Sequence, residues 1–257
     1  MRVLGLDTAT ATAGVAIVDE HGRVLAEARH DTSGRGADLL VTIDRVCREA
    51  GNAPRDIDAV AVGAGPGSFT GLRIGMATAK GIAFAAGRPL WAVSSLAALA
   101  DDAMRELANH QPAAQAGGVI CAVLDAWRGE VFAGCFRHGG LLAPERVMAP
   151  GELGPWIAEI AGADTAAPAV PVAPSGTSGP IVWFAGDAIT AYADVLAPLA
   201  VQGRWLAART PSGCAVARLA LLGDRVDITL GGAPTYIRPS EAEVKYPDGV
   251  PGALRRR

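Results

Sequence analysis

Between Gly71 and Gly87 every fourth residue is small: Gly71, Gly75, Ala79, Ala83 and Gly87. A second row, Ala77, Gly81 and Ala85, runs beside it. Residues four apart share one face of an α-helix. Glycine inside a helix costs about 1 kcal/mol relative to alanine. A helix that keeps Gly71, Gly75 and Gly81 therefore implies very close packing against another element, in this chain or in another molecule. With two rows available, one can lie on the chain's own sheet and the other on a partner. The contact residues expected of the partner seam on this helix are Gly71, Leu72, Gly75, Met76 and Ala79.

The stripe follows a short apolar run, 57–63, and a turn, Gly63-Ala64-Gly65-Pro66-Gly67-Ser68-Phe69-Thr70-Gly71. A strand running through such a turn into a helix can place free N–H groups at an anion. The turn matches neither the Walker pattern nor the dinucleotide fingerprint, because no Gly-Lys-Ser/Thr follows and the third glycine is displaced. Asp7, at the end of the first strand, is followed by Thr8 and Thr10. Asp7, Thr8, Gly65, Gly67 and Ser68 are thus the candidate nucleotide or phosphate contacts. The structural alternative is a turn-forming aspartate and a tight strand-to-helix turn with Ser68 as helix cap. Spacing leaves both readings open.

Three strand-like runs open the chain, at 2–7, 13–18 and 23–29, with hairpin chemistry at Asp19-Glu20-His21-Gly22. A helix at 35–50 follows, its apolar face made by Leu39, Leu40, Ile43, Val46, Cys47 and Ala50. Strand 57–63, helix 71–87, strand 89–93 and helix 95–109 complete a βββαβαβα unit, which predicts an α/β mixed sheet with helices on its faces. The opening order recurs in strands at 119–126, 130–137 and 141–148 and a helix at 151–162. An Ala/Pro/Ser-rich stretch, 163–180, reads as a flexible insertion. A strand at 181–186 and helices near 188–197 and 212–223 follow. The expected divisions are an N-terminal subdomain at 1–110, a C-terminal one at 118–232 and a tail at 233–257, with a ligand cleft between the halves.

Other polar groups have plainer readings. Ser94-Ser95 reads as a helix cap, Asp101-Asp102 as a solvated helix face, and Asp125, Arg128 and Glu130 as a charged hairpin turn. Four histidines and four cysteines are scattered, with no CxxC, HxxxH or HExxH, so no metal site and no catalytic residue is expected. The net charge of -3 supplies no global basic field for nucleic acid. There is no secretory leader pattern and no long apolar run, so a cytoplasmic protein without a membrane span is expected.

Several strings together resemble the bacterial TsaB (YeaZ) family: DTAT at 7–10, GAGPGSFTGLRIGMATAKGIA at 63–83, VSSLAALA at 93–100, DAWRGEVF at 125–132 and PTYIR at 234–238. The likeness spans nearly the whole chain outside 163–180. It implies an actin-like ATPase (ASKHA) fold of two RNase H-like subdomains. It also implies a noncatalytic, dimerising subunit in the synthesis of threonylcarbamoyladenosine next to the tRNA anticodon. The implied partners are the catalytic paralogue TsaD and the ATPase TsaE, or a second copy of the chain, with tRNA met through the complex. No tightly bound cofactor is implied; ATP or ADP with magnesium at the partner interface is the remaining expectation. The family's first two helices, its dimer seam, map onto 35–50 and 71–87, which implies that Leu39 and Ile43 of the first helix join the partner contact. One departure stands at the first of these: many relatives read HSERLLP, where this chain has Arg35-Gly36-Ala37-Asp38-Leu39-Leu40-Val41. Two other function classes compete: an independent ATP-binding enzyme working through Asp7, and a glycoprotease-like peptidase, for which no nucleophile–base pair is visible.

Overall fold

The computed structural model describes residues 1–31, 37–110, 118–163, 181–200, 203–228, 234–235 and 237. The first three strands, β1 (Arg2–Asp7), β2 (Thr12–Asp19) and β3 (Val24–Asp31), form the expected antiparallel meander. Helix α1 (Ala37–Glu49) covers β3 and β2. Strand β4 (Ala59–Gly63) then pairs parallel with β1, and β5 (Leu90–Val93) parallel with β4. Helix α2 (Phe69–Ala86) makes the crossover between them. Both parallel strands are apolar, as strands buried on two faces must be.

Helix α3 (Ser95–His110) leads into the second sheet. There β6 (Val119–Asp125) and β7 (Val131–Arg137) form a hairpin, and β7 is edged by β8 (Gly140–Leu141) and β9 (Arg146–Met148). The single strand expected at 141–148 is thus two short ones. Helix α4 (Leu153–Ala163) follows, then β10 (Val182–Ala185), helices α5 (Ala188–Ala191) and α6 (Ala193–Ala200), and β11 (Gly203–Trp205). The helix expected near 188–197 is broken at Tyr192, which leaves helical φ/ψ. Strands β6, β10 and β11 are parallel neighbours.

The chain does not end in that second unit. Helix α7 (Gly213–Leu222) packs on β1, β2 and β4 of the first sheet, and β12 (Val226–Asp227) joins its edge beside β5. The sheets are ordered β12-β5-β4-β1-β2-β3 and β11-β10-β6-β7-β8. The expected boundary at 232 is therefore corrected: 213–228 belong with 1–110 in the first subdomain. The cause is contact at backbone distance. A Cβ on Gly213 would come within 2.6 Å of Ala16 N and 2.5 Å of Gly5 O, and one on Gly14 within 2.7 Å of Gly213 N. Only glycines on both surfaces let helix and sheet meet this closely.

One apolar cluster spans both sheets through α3 and α7, from Val3, Ala61 and Trp91 to Ile120, Phe132 and Trp183. At this level, packed side chains fill the space between the two halves. The 163–180 insertion, apart from Ala163, and most of the tail lie outside the described residues. No helix among the described residues is long and apolar enough to cross a membrane.

Candidate functional site

The glycine turn, the loop after β1 and the start of α3 make one hydrogen-bonded knot. Asp7 Oδ1 accepts from Ala9 N at 2.8 Å, and Asp7 Oδ2 accepts from Ser95 Oγ at 2.7 Å. Ser95 Oγ in turn accepts from Gly65 N, while Ser95 N donates to Gly65 O. Ser68 N donates to Ala9 O at 2.7 Å, and Thr235 N from the tail donates to Ala64 O. Gly65 has φ +104, a conformation that disfavours a Cβ, and the Gly65–Pro66 peptide is cis. Ser68 Oγ accepts from Gly71 N as the cap of α2. Thr8 Oγ1 donates to Gly71 O at 2.8 Å.

The structure thus brings Asp7, Thr8, Gly65, Gly67 and Ser68 together, but Asp7, Thr8, Gly65 and Ser68 make hydrogen bonds inside the chain, and Gly67 lies against Ala9. Asp7 is fully buried and Thr8 nearly so. Burial raises Asp7 from its ordinary 3.8 to about 6, against the lowering effect of the bonds from Ala9 and Ser95. As phosphate contacts Asp7, Thr8, Gly65 and Ser68 are corrected to an internal brace. A nucleotide held by Asp7 and Thr8 would have to break bonds that the fold already makes, so the donor set does not fit one here.

The expected partner seam is also corrected. Leu39, Ile43, Leu72, Met76, Gly75 and Ala79 are buried in this chain's own core, and Gly71 is half-buried. A Cβ on Gly71 would overlap Thr8 O, and one on Gly75 would overlap Thr8 Oγ1. The first small row therefore serves the internal contact between α2 and the loop after β1. The periodicity was legible in the sequence; which row faced inward was not.

The second row faces outward. Ala77, Gly81 and Ala85 are exposed and, with Leu40, Pro54, Arg55 and Ile82, line an open, mainly apolar groove of about 640 Å³ between α1 and α2. No described atom outside the helix's own backbone and the chain neighbours lies within 4 Å of a Cβ built on Gly81. Leu40, on the groove's rim, is 55% exposed, and beyond the groove the two helices expose Val41 (68%) and Phe84 (80%). Phe69, at the start of α2, carries the Arg73 guanidinium 3.8 Å above its ring.

Acidic groups differ most from the sequence reading. Asp102 is not on a solvated face. Its carboxylate accepts from Ser212 N (2.8 Å), Ser212 Oγ (2.7 Å) and Arg218 Nη2 (3.3 Å), while Arg218 also binds Asp101 at 2.6 Å. Burial raises the Asp102 pKa, and the Ser212 hydrogen bonds partly offset it. Ser94 caps α3 through Ala97 N, as expected, and also donates to Glu145 of the second subdomain. Nothing in local spacing marks Ser212 or Arg218, which lie more than a hundred residues from Asp102.

In the second subdomain Asp125 N donates to Asp187 Oδ1, and Asp125 Oδ1 accepts from Trp127 N and Tyr192 Oη. Burial raises Asp187 to about 6. Trp127 and Arg128, at the hairpin tip, both have left-handed φ, near 60°. Among the described residues no three His, Cys, Asp or Glu side chains converge as a metal site.

Residues 36–226 match the family model described as TsaD: tRNA N6-adenosine threonylcarbamoyltransferase. The tRNA threonylcarbamoyladenosine biosynthesis protein TsaB of Bacillus subtilis is 32% identical over 143 residues, covering 55% of this chain and 58% of that protein. The chain matches only a little over half the length of such curated relatives. A Pseudomonas aeruginosa crystal structure, described as an uncharacterized protein with similarity to peptidase YeaZ, superposes with TM-score 0.66. It is 29% identical, over 92% of this chain and 99% of that one. Component A of (R)-2-hydroxyglutaryl-CoA dehydratase from Acidaminococcus fermentans superposes with TM-score 0.50 at 10% identity, covering 87% and 99%. That likeness concerns fold alone, and the fold is the actin-like ATPase architecture.

Proposed function

The chain belongs to the TsaD family of tRNA N6-adenosine threonylcarbamoyltransferases and, within it, to the TsaB (YeaZ) group; from that premise we propose that it is a noncatalytic scaffold in tRNA threonylcarbamoyladenosine synthesis. Its proposed partner is a TsaD-type paralogue, seated on the outer face of α1 and α2. A TsaE-type ATPase joins the assembly, and tRNA is met through the complex. A second copy of the chain can take the same face when the paralogue is absent.

The observation that carries this reading is the outer row of α2. Ala77, Gly81 and Ala85 line a groove, and no described side chain fills the space above Gly81. A glycine kept in mid-helix without an internal contact fits a second helix packing there. The apolar rim, Leu40 and Ile82, supplies the burial that such a seam needs. In this reading no step runs through a nucleotide on Asp7, since that carboxylate is already satisfied.

The test is co-elution with the TsaD-type paralogue. Gly81→Leu projects a side chain into the groove. It is expected to abolish co-elution while leaving the circular dichroism and Tm of the isolated chain close to wild type. Unchanged co-elution of Gly81→Leu would overturn the assigned face. Tight ATP binding by the isolated chain, lost in Asp7→Ala, would instead favour an independent ATP-using enzyme.

A further inference from the structure

Cys121 and Cys135 face each other across the β6–β7 hairpin as directly paired residues. The hydrogen-bond pattern fixes the kind of pair. Ala126 N donates to Glu130 O, so 126 and 130 form a hydrogen-bonded pair. Along an antiparallel ladder the two pair types alternate, and five steps from 126 to 121 give the other type. Independently, Cys135 O accepts from Leu142 N at 2.8 Å on the opposite edge of β7, so its carbonyl points away from β6. The cysteines therefore occupy a non-hydrogen-bonded pair, where Cα atoms stand about 4.5 Å apart and side chains are closest. That spacing lies within the range of about 4.4–6.8 Å that a disulfide spans.

We propose that Cys121 and Cys135 are a cross-strand dithiol that closes to a disulfide, a redox modification site in the second subdomain. Both side chains point to the sheet face covered by Leu153, Trp156 and Leu196, and both are fully buried. Burial, and then the neighbouring Cys135 thiol, hold the Cys121 thiol well above its ordinary pKa. The reacting species is the thiolate, so closure is slow in the intact fold and proceeds when the hairpin opens or before it forms. With a small disulfide such as oxidised glutathione the exchange balances. One cysteine thiolate attacks the glutathione disulfide, forms a mixed disulfide and releases one glutathione thiolate. The second cysteine thiolate then attacks the protein sulfur and releases the other. The two thiol protons end on the two glutathiones, so two protein thiols are oxidised and one small disulfide is reduced. Cys47 and Cys214 lie on α1 and α7 of the other subdomain and stand apart from this pair.

The experiment refolds the full chain from urea in glutathione redox buffers of increasing oxidised fraction, which removes the kinetic block of burial. The expected product is lighter by about 2 Da, the two thiol hydrogens. It retains two of its four thiols, maps its link to 121–135, keeps the far-UV circular dichroism of the reduced chain, and has a higher Tm that dithiothreitol reverses. The double variant Cys47→Ala/Cys214→Ala behaves the same, and Cys135→Ala loses the change. Four retained thiols at every buffer ratio, a link mapped to another pair, or an oxidised product without native circular dichroism would each overturn the proposal.

Discussion

Asp7 has an ordinary pKa of 3.8 and a folded one of about 6, and burial is the main cause. The native state therefore holds this proton more tightly than the unfolded chain. Between pH 4 and 6, on the order of the two pKa values, the native state carries more protons, so stability falls as pH rises through that window. The full effect on neutral-pH stability is roughly 3 kcal/mol at most, at 1.36 kcal/mol per unit. Asp187, also raised to about 6, acts in the same direction. Asp7→Asn removes the titration and keeps an acceptor for Ala9 N. Urea unfolding from pH 4 to 7 should show a shallower decline in Asp7→Asn than in wild type. Parallel profiles would mean that Asp7 is not the group responsible. The same residue shows where spacing stopped: DTAT placed an acid at a strand end, but its partner Ser95 is 88 residues away.

Within α2 the same amino acid has opposite roles. A Cβ on Gly75 would meet Thr8 Oγ1, whereas one on Gly81 would meet no described atom within 4 Å outside the helix's own backbone and the chain neighbours. Gly75→Ala forces a methyl into the Thr8 side chain and should destabilise the isolated chain by about 1–3 kcal/mol. Gly81→Ala meets open space on an exposed helix face and should stabilise it by roughly 0.5–1 kcal/mol. Denaturant midpoints of the two variants check both signs together. Stabilisation by Gly75→Ala would contradict the inward placement of the first row. Helix propensity and four-residue spacing are local, so the two rows were visible in the chain. Which row faced the sheet depended on Thr8, some sixty residues earlier, and on the direction from which β1 approached.

For the whole molecule, α3 and α7 lie in one apolar cluster shared by both sheets. Asp102 on α3 reaches the cap of α7 at Ser212 and, with Asp101, pairs Arg218, whose side chain is 9% exposed. Asp102→Ala leaves Arg218 paired with Asp101 but takes the acceptor from Ser212 N and Oγ. Leaving those donors without their partner should cost about 1–3 kcal/mol; the measurement is the urea midpoint against wild type. A shared core also predicts one cooperative transition. Trp91 reports on the first sheet and Trp183 on the second. Single-tryptophan variants retaining one or the other should unfold at the same urea concentration. Well-separated midpoints would show that the two halves are independent units.

The residues by themselves determined the strand meander, the parallel βαβ crossovers, the glycine turn, both small rows of α2 and the membership that those strings carry. Each of these rests on periodicity or on turn chemistry, which act within a few residues. Only the tertiary structure decided that 213–228 return to the first sheet, that Asp7 and Asp102 are buried, that the Gly71–Gly75–Ala79 row packs inward, and that Cys121 faces Cys135. Those outcomes depend on contacts between residues far apart in the chain. Burial and hydrogen-bond partners are properties of packed surfaces, and a linear pattern does not say which surfaces will meet.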